Sequence, residues 1–295
     1  MTNHSRRLAI KNLVAGTAAV GTAGMLSSFT TTSDNQQTLK GKINHSVCRW
    51  CFGSVPLEEF AVAVKKMGIY AIDLVGPKDW PTLQKHGIFS SMCNGAEINL
   101  VDGFNDPQFH AILVKNYTEM IPLVAKAGYK NLICFSGNAR GKDAETGWKN
   151  SVAGLKQIIG LAEKHNVTLV MELLNSKIDH KDYQCDKTAW GVELAKRLGS
   201  ENFKLLYDIY HMQIDEGDVI RTIRDNHQYI THYHTAGVPG RHEIDEKQEL
   251  YYPAIMQAIV DTGFKGYVAQ EFIPSSKVNE EKLAALQKAI QICDI

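Results

Sequence analysis

Thr168-Leu169-Val170-Met171-Glu172 is a short apolar run stopped by a polar residue, and the chain repeats that phrase three more times. Residues 203–207 run into Asp208, 229–233 into His234, and 267–270 into Glu271. Each interval between these stops carries one stretch of helical periodicity. Alternating β-rich and amphipathic helical segments point to βα units and a parallel sheet. A polar residue closing each run suits the C-terminal mouth of a (β/α)8 TIM barrel, the end at which such barrels carry their chemistry.

Working outward, the same alternation extends over most of the chain. Strands are predicted at 43–47, 70–75, 88–92, 131–135, 168–171, 203–207, 229–233 and 267–270. Helices are predicted at 57–67, 80–86, 107–127, 145–165, 188–198, 218–227, 253–262 and 279–292, which gives eight strands each followed by a helix. Gly68, Gly87, Gly128, Gly199 and Gly263 each follow a helical stretch, where a left-handed C-terminal cap favours glycine. A doubly wound open sheet is the rival architecture. It would normally carry a Gly-rich phosphate loop after its first strand, and no such loop follows residue 47.

The chain has 295 residues, 44% of them hydrophobic, enough for one barrel with a full core and an N-terminal extension. Lys plus Arg equals Asp plus Glu, so the formal net charge is zero. That balance argues against nucleic acid as a partner, because phosphate binding calls for a basic face. The first residues differ in character. Ser5-Arg6-Arg7-Leu8-Ala9-Ile10-Lys11 precedes a mild uncharged run at 13–26, and together they resemble a twin-arginine export signal. That run is shorter than the ~20 apolar residues of a membrane span. The expected organisation is a signal at 1–29, a polar linker at 30–41 and the barrel at 42–295, with the mature protein in the periplasm. No clean Ala-x-Ala site follows the run, which leaves a retained membrane tether open. The six cysteines are scattered and read as structural thiols, not as a disulfide framework.

Glu172, Asp208, His234 and Glu271 end neighbouring strands, and three carboxylates with one imidazole would repel one another without a cation between them. They are read as ligands of a divalent metal ion. Oxygen-rich sites of this kind suit Mn²⁺, Mg²⁺ or Co²⁺, and Zn²⁺ is tolerated. Glu172 and Glu271 are also the candidate catalytic pair, since a carboxylate can take a proton from a carbon beside a polarised carbonyl and return it at a neighbouring carbon. His211, Arg49 and Asn138 sit where they can reach a small-molecule substrate. His232 lies one pleat below His234 and is assigned to the barrel interior.

These residues resemble, in their order, the hydroxypyruvate isomerase branch of the xylose-isomerase-like barrel superfamily. The likeness runs from about His45 to Pro274. It is carried by Ser46-Val47-Cys48-Arg49-Trp50-Cys51, residues 131–138, Tyr207-Asp208-Ile209-Tyr210-His211-Met212-Gln213, His232-Tyr233-His234-Thr235-Ala236-Gly237, residues 239–243 and Gln270-Glu271-Phe272. The resemblance implies that Glu172 and Glu271 transfer the proton, that Asp208 holds the metal, and that His211 and Arg241 contact substrate. It departs at His234, where hydroxypyruvate isomerases carry glutamine and the sugar epimerases of the superfamily carry histidine. The expected function is therefore a metal-dependent isomerase or epimerase acting on a hydroxypyruvate-like acid or a sugar. A lyase or dehydratase, and a non-catalytic sugar-binding barrel, are the alternatives. Self-association is left open.

Overall fold

Eight parallel strands form one sheet in a computed structural model that describes residues 38–295. The strands are β1 (Asn44–Val47), β2 (Ala71–Val75), β3 (Phe89–Cys93), β4 (Asn131–Cys134), β5 (Thr168–Glu172), β6 (Phe203–Asp208), β7 (Ile230–Thr235) and β8 (Tyr267–Gln270). Their order follows the chain, and β1 pairs with β8, so the sheet curls into a barrel. The remaining seam, between β1 and β2, is joined by a single parallel bridge from Cys48 to Asp73. The expected TIM barrel is therefore present. The twin-arginine segment and residues 30–37 of the expected linker lie outside the described residues.

The helices follow the strands in turn: α1 (Leu57–Lys66), α2 (Trp80–Lys85), α3 (His110–Lys126), α4 (Ala144–Leu155), α5 (Ile159–His165), α6 (Thr188–Leu198), α7 (Ile209–Asp215), α8 (Val219–Asn226), α9 (Tyr252–Asp261) and α10 (Asn279–Cys293). All five glycines singled out after helices have positive φ, between 67° and 84°. Two elements differ from expectation. The single helix expected at 145–165 is broken, because Gln157 and Ile158 bond to carbonyls three residues back in a tightened turn. Helix α7 is additional. It starts at once after β6 because the Asp208 carboxylate caps it, accepting from the His211 backbone N–H at 3.2 Å.

The barrel interior is not uniformly apolar. β2 carries a register irregularity around Asp73 and Val75, with Leu74 in the left-handed region at φ 58°. Asp73 lies in the barrel interior, where its carboxylate accepts from Ser46 of β1, Ser91 of β3 and His232 of β7. All four side chains are buried. All six cysteines are buried free thiols, in keeping with a structural role. Among the described helices none is long and apolar enough to cross a membrane.

The N-terminal end of the described chain is attached rather than free. The Lys40 backbone N–H donates to the Asp294 carboxylate at 2.9 Å, and its ammonium reaches the Asp294 carbonyl at 3.0 Å. Asp294 also lies 3.7 Å from the buried His45 imidazole. Burial outweighs that carboxylate and lowers the His45 pKa from 6.5 to about 4. An unfolded chain then binds more protons than the folded one between those values, so stability falls as pH drops from 6.5 toward 4. The full effect is about 3 kcal/mol at 1.36 kcal/mol per pKa unit. Urea unfolding at pH 7 and pH 4.5 should show this loss, and His45→Asn should reduce it; an unchanged pH dependence in the variant would remove His45 as its source.

Candidate active site

Four side chains from successive strands meet at the C-terminal mouth. Glu172 ends β5, Asp208 ends β6, His234 is the penultimate residue of β7, and Glu271 follows β8. Parallel register delivers them together, with Asp208 paired to His234 across β6 and β7, and the Glu271 backbone N–H bonded to the Thr235 carbonyl at 2.8 Å. All four are buried, and one donor atom from each lies within 4.8 Å of the others.

The contacts define which atoms face inward. His234 Nδ1 lies 2.6 Å from Glu271 Oε2 and 3.3 Å from Glu172 Oε1, while its Nε2 faces Asp73 Oδ2 at 3.2 Å and Cys48 Sγ at 3.6 Å. Trp50 donates its indole N–H to Glu271 Oε1 at 2.8 Å. Arg241 bridges Asp208 at 3.2 Å and Glu271 at 2.5 Å, and its guanidinium lies over the rings of Trp50 and Tyr210. The arginine is carried in the loop between β7 and α9 at φ 60°, a left-handed conformation uncommon for a non-glycine residue.

Charge in so buried a cluster is strongly biased. Burial, reinforced by Glu271, raises the Glu172 carboxyl above its ordinary range. Burial raises Asp208 to about 8 against the opposing pull of Arg241. Glu271 goes the other way: burial opposes ionisation, but His234 and Arg241 outweigh it and hold the carboxyl well below its usual value. Glu172 Oε1 is buried with no hydrogen-bond partner. Three carboxylates, one inward imidazole nitrogen and an unsatisfied carboxylate oxygen together fit a divalent cation, whose charge would offset the repulsion.

A cavity of about 410 Å³ opens over Glu172 and Glu271. Its lining mixes polar side chains, among them Asn94, Glu97, His180 and Arg241, with apolar ones, among them Leu74, Ile133, Phe135 and Leu174. The expected site residues divide against this geometry. Arg241 lines the cavity, and His211 is fully buried with its Nε2 3.6 Å from Asp208 Oδ2. Arg49 does not join them. Its guanidinium donates to the carbonyls of Phe52 at 2.6 Å and Val55 at 2.8 Å and lies over the Phe60 ring. Asn138 is also engaged elsewhere, donating to the Lys181 carbonyl at 3.2 Å. Each instead satisfies backbone carbonyls of nearby turns. His232 is in the barrel interior, as expected. His180 was missed because it sits in a polar loop without periodicity. Asp73 was missed inside an apolar run, where a lone carboxylate was the available signal.

The profile of the xylose isomerase-like TIM barrel family matches residues 80–291. The chain belongs to that family. A 2-oxo-tetronate isomerase of Cupriavidus necator is 34% identical over 113 residues, 38% of this chain and 43% of the relative. A human protein provisionally named hydroxypyruvate isomerase is 30% identical over 120 residues, 41% of this chain and 43% of its own. The aligned segments thus span less than half the length of these relatives. The barrel also superposes on a D-psicose 3-epimerase from Clostridium cellulolyticum H10 solved with D-tagatose, with TM-score 0.67 and 18% identity, covering 86% of this chain and 100% of the other.

Because Arg49 braces a turn, Arg49→Ala should lower the unfolding free energy by about 1–3 kcal/mol, the scale of charged hydrogen bonds to backbone. Urea unfolding reads that loss. A normal unfolding midpoint combined with a tenfold fall in kcat/KM would return Arg49 to the substrate site.

Proposed function

We propose that this chain is a metal-dependent isomerase or epimerase that transfers a proton, through an enediolate, at the carbons beside the carbonyl of a small hydroxy-carbonyl compound. The observation that carries the reading is the placement of two buried glutamates, Glu172 and Glu271, on one substrate-sized cavity. They come from strands on either side of Asp208 and His234, so a bound carbon skeleton can lie between them. One glutamate removes the proton beside the carbonyl, giving an enediolate; return of a proton at the neighbouring carbon completes an isomerisation, and return by the other glutamate to the opposite face of the same carbon completes an epimerisation. The kinship with proteins named as isomerases supports the same chemistry.

Glu172, Asp208, His234 and Glu271 would hold the ion, for which Mn²⁺, Mg²⁺ or Co²⁺ is the natural choice and Zn²⁺ is also accommodated. When bound, a divalent cation supplies polarisation of the substrate carbonyl and charge to balance its oxygens. The rest of the work belongs to the chain. Trp50 fixes the orientation of Glu271 through its indole N–H. Arg241 presents a guanidinium to substrate oxygens, and the apolar lining residues Leu74, Ile133, Phe135 and Leu174 limit water around the reacting carbons.

A cavity of about 410 Å³ has room for more than a three-carbon acid. With histidine at position 234, this favours a sugar or sugar-derived acid over hydroxypyruvate itself. On the strength of Arg6-Arg7 and the uncharged run that follows, we place the working enzyme in the periplasm.

The test is incubation in D₂O with hydroxypyruvate, 2-oxo-tetronate and a set of ketoses, followed by NMR at the carbon next to the carbonyl. Deuterium entry with a rearranged or epimeric product is expected; entry followed by loss of a group would make the enzyme a lyase. Glu271→Gln should lower kcat by about 10²–10⁴-fold, the usual worth of a general base, and a variant that retains full rate would move the base elsewhere. Chelation should abolish turnover, with recovery on adding Mn²⁺. Activity that survives complete metal removal would overturn the metal requirement.

A further inference from the structure

His211 is buried beside the carboxylate cluster, and its two ring nitrogens have very different surroundings. Nδ1 lies 2.6 Å from the Asn175 side-chain amide nitrogen, while Nε2 has no hydrogen-bond partner and lies 3.6 Å from Asp208 Oδ2. Which nitrogen carries the proton follows from the orientation of the Asn175 amide, and that orientation is over-determined. Its Oδ1 accepts from two backbone N–H groups, those of Ile178 and Asp179, both at 3.0 Å. Its Nδ2 donates to Asp179 Oδ2 at 2.6 Å. Tyr210 also donates to that Asp179 oxygen, at 2.9 Å, and holds it in place. A flipped amide would set its nitrogen against two donors and its oxygen against a carboxylate.

The second Nδ2 hydrogen therefore points at His211 Nδ1, which must accept it with a lone pair. A neutral imidazole with a bare Nδ1 carries its proton on Nε2. Asp179 itself is 3.9 Å from Nδ1, beyond hydrogen-bond reach, so it does not compete for that nitrogen. The ring is packed edge-on against His180 and Tyr210, which limits its rotation.

We propose that Asn175 is a positioning residue that fixes His211 as the Nε2–H tautomer, so that His211 is a neutral hydrogen-bond donor to a substrate oxygen beside Asp208 and not a base. The substrate half of this statement rests on the isomerase reading above; the tautomer half does not. A neutral imidazole donating to a carbonyl or enediolate oxygen stabilises developing negative charge without giving up its proton.

The test uses the ¹⁵N-labelled full chain with Mg²⁺ and long-range ¹H–¹⁵N correlation, with the His211 signals assigned through their loss in His211→Gln. Nδ1 should resonate as a bare, pyridine-type nitrogen and Nε2 as a protonated, pyrrole-type one. The paired variant Asn175→Asp with Asp179→Asn keeps the turn and its bonding partners but turns the group facing Nδ1 from donor to acceptor. It should invert the tautomer and lower kcat for deuterium exchange by about 10²–10³-fold, the cost of losing one oxyanion donor. If that pair does not fold, Asn175→Ala serves, and both tautomers should then be populated. A wild-type spectrum with a bare Nε2, or an inverted tautomer with unchanged kcat, overturns the proposal. The tautomer is read without substrate, so the expected spectrum without turnover on any compound would count against the isomerase reading alone.

Discussion

The Asp73 carboxylate holds the two parts of this barrel together. It is fully buried, and its oxygens accept from Ser46, Ser91 and His232, with His234 Nε2 3.2 Å away. Those partners come from β1, β3 and β7, so one side chain ties the sparsely bonded β1–β2 seam to β3 and, across the barrel interior, to β7. Leaving a buried carboxylate without such partners costs several kcal/mol, and here the hydrogen bonds and histidines keep it ionised well below its usual range despite burial. The register of β2 shifts on either side of Asp73, with Leu74 in the left-handed region.

The mouth of the barrel inherits its geometry from this interior. With Nε2 facing Asp73, His234 presents Nδ1 to the two glutamates, and Arg241 closes the cluster from above. Three acidic groups within a few ångströms can coexist only because positive charge and directed hydrogen bonds surround them. The same constraint explains why Asp208 serves twice, as a member of the cluster and as the cap of α7. Capping orders the first turn of α7, which in turn carries His211 to its place beside the cluster.

Much of the fold was legible because strand and helix periods differ and because glycine marks the helix ends. The candidate site was legible where polar residues stop apolar runs, as at Glu172, Asp208 and Glu271, since a strand's end faces the mouth whatever the tertiary detail. Arg49 and Asn138 follow strands, yet their side chains bond to backbone carbonyls instead of lining the cavity. A residue after a strand is near the mouth, but its side chain bonds to whichever carbonyls are closest, and for Arg49 those are Phe52 and Val55 in the following turn. His180 and Asn175 lie in an irregular loop after β5, where no period fixes direction.

By itself the sequence determined the barrel, the order of its elements and the four residues that converge at its mouth, because burial patterns are local and repeat along the chain. Tertiary structure alone decided which atoms of those residues meet. The inward turn of Asp73, the nitrogen that His234 offers the glutamates and the amide that faces His211 all depend on hydrogen bonds between residues 36 to 161 positions apart. Hydrogen bonds of that range are directional and are set by packed backbone geometry, which no periodicity in the chain encodes.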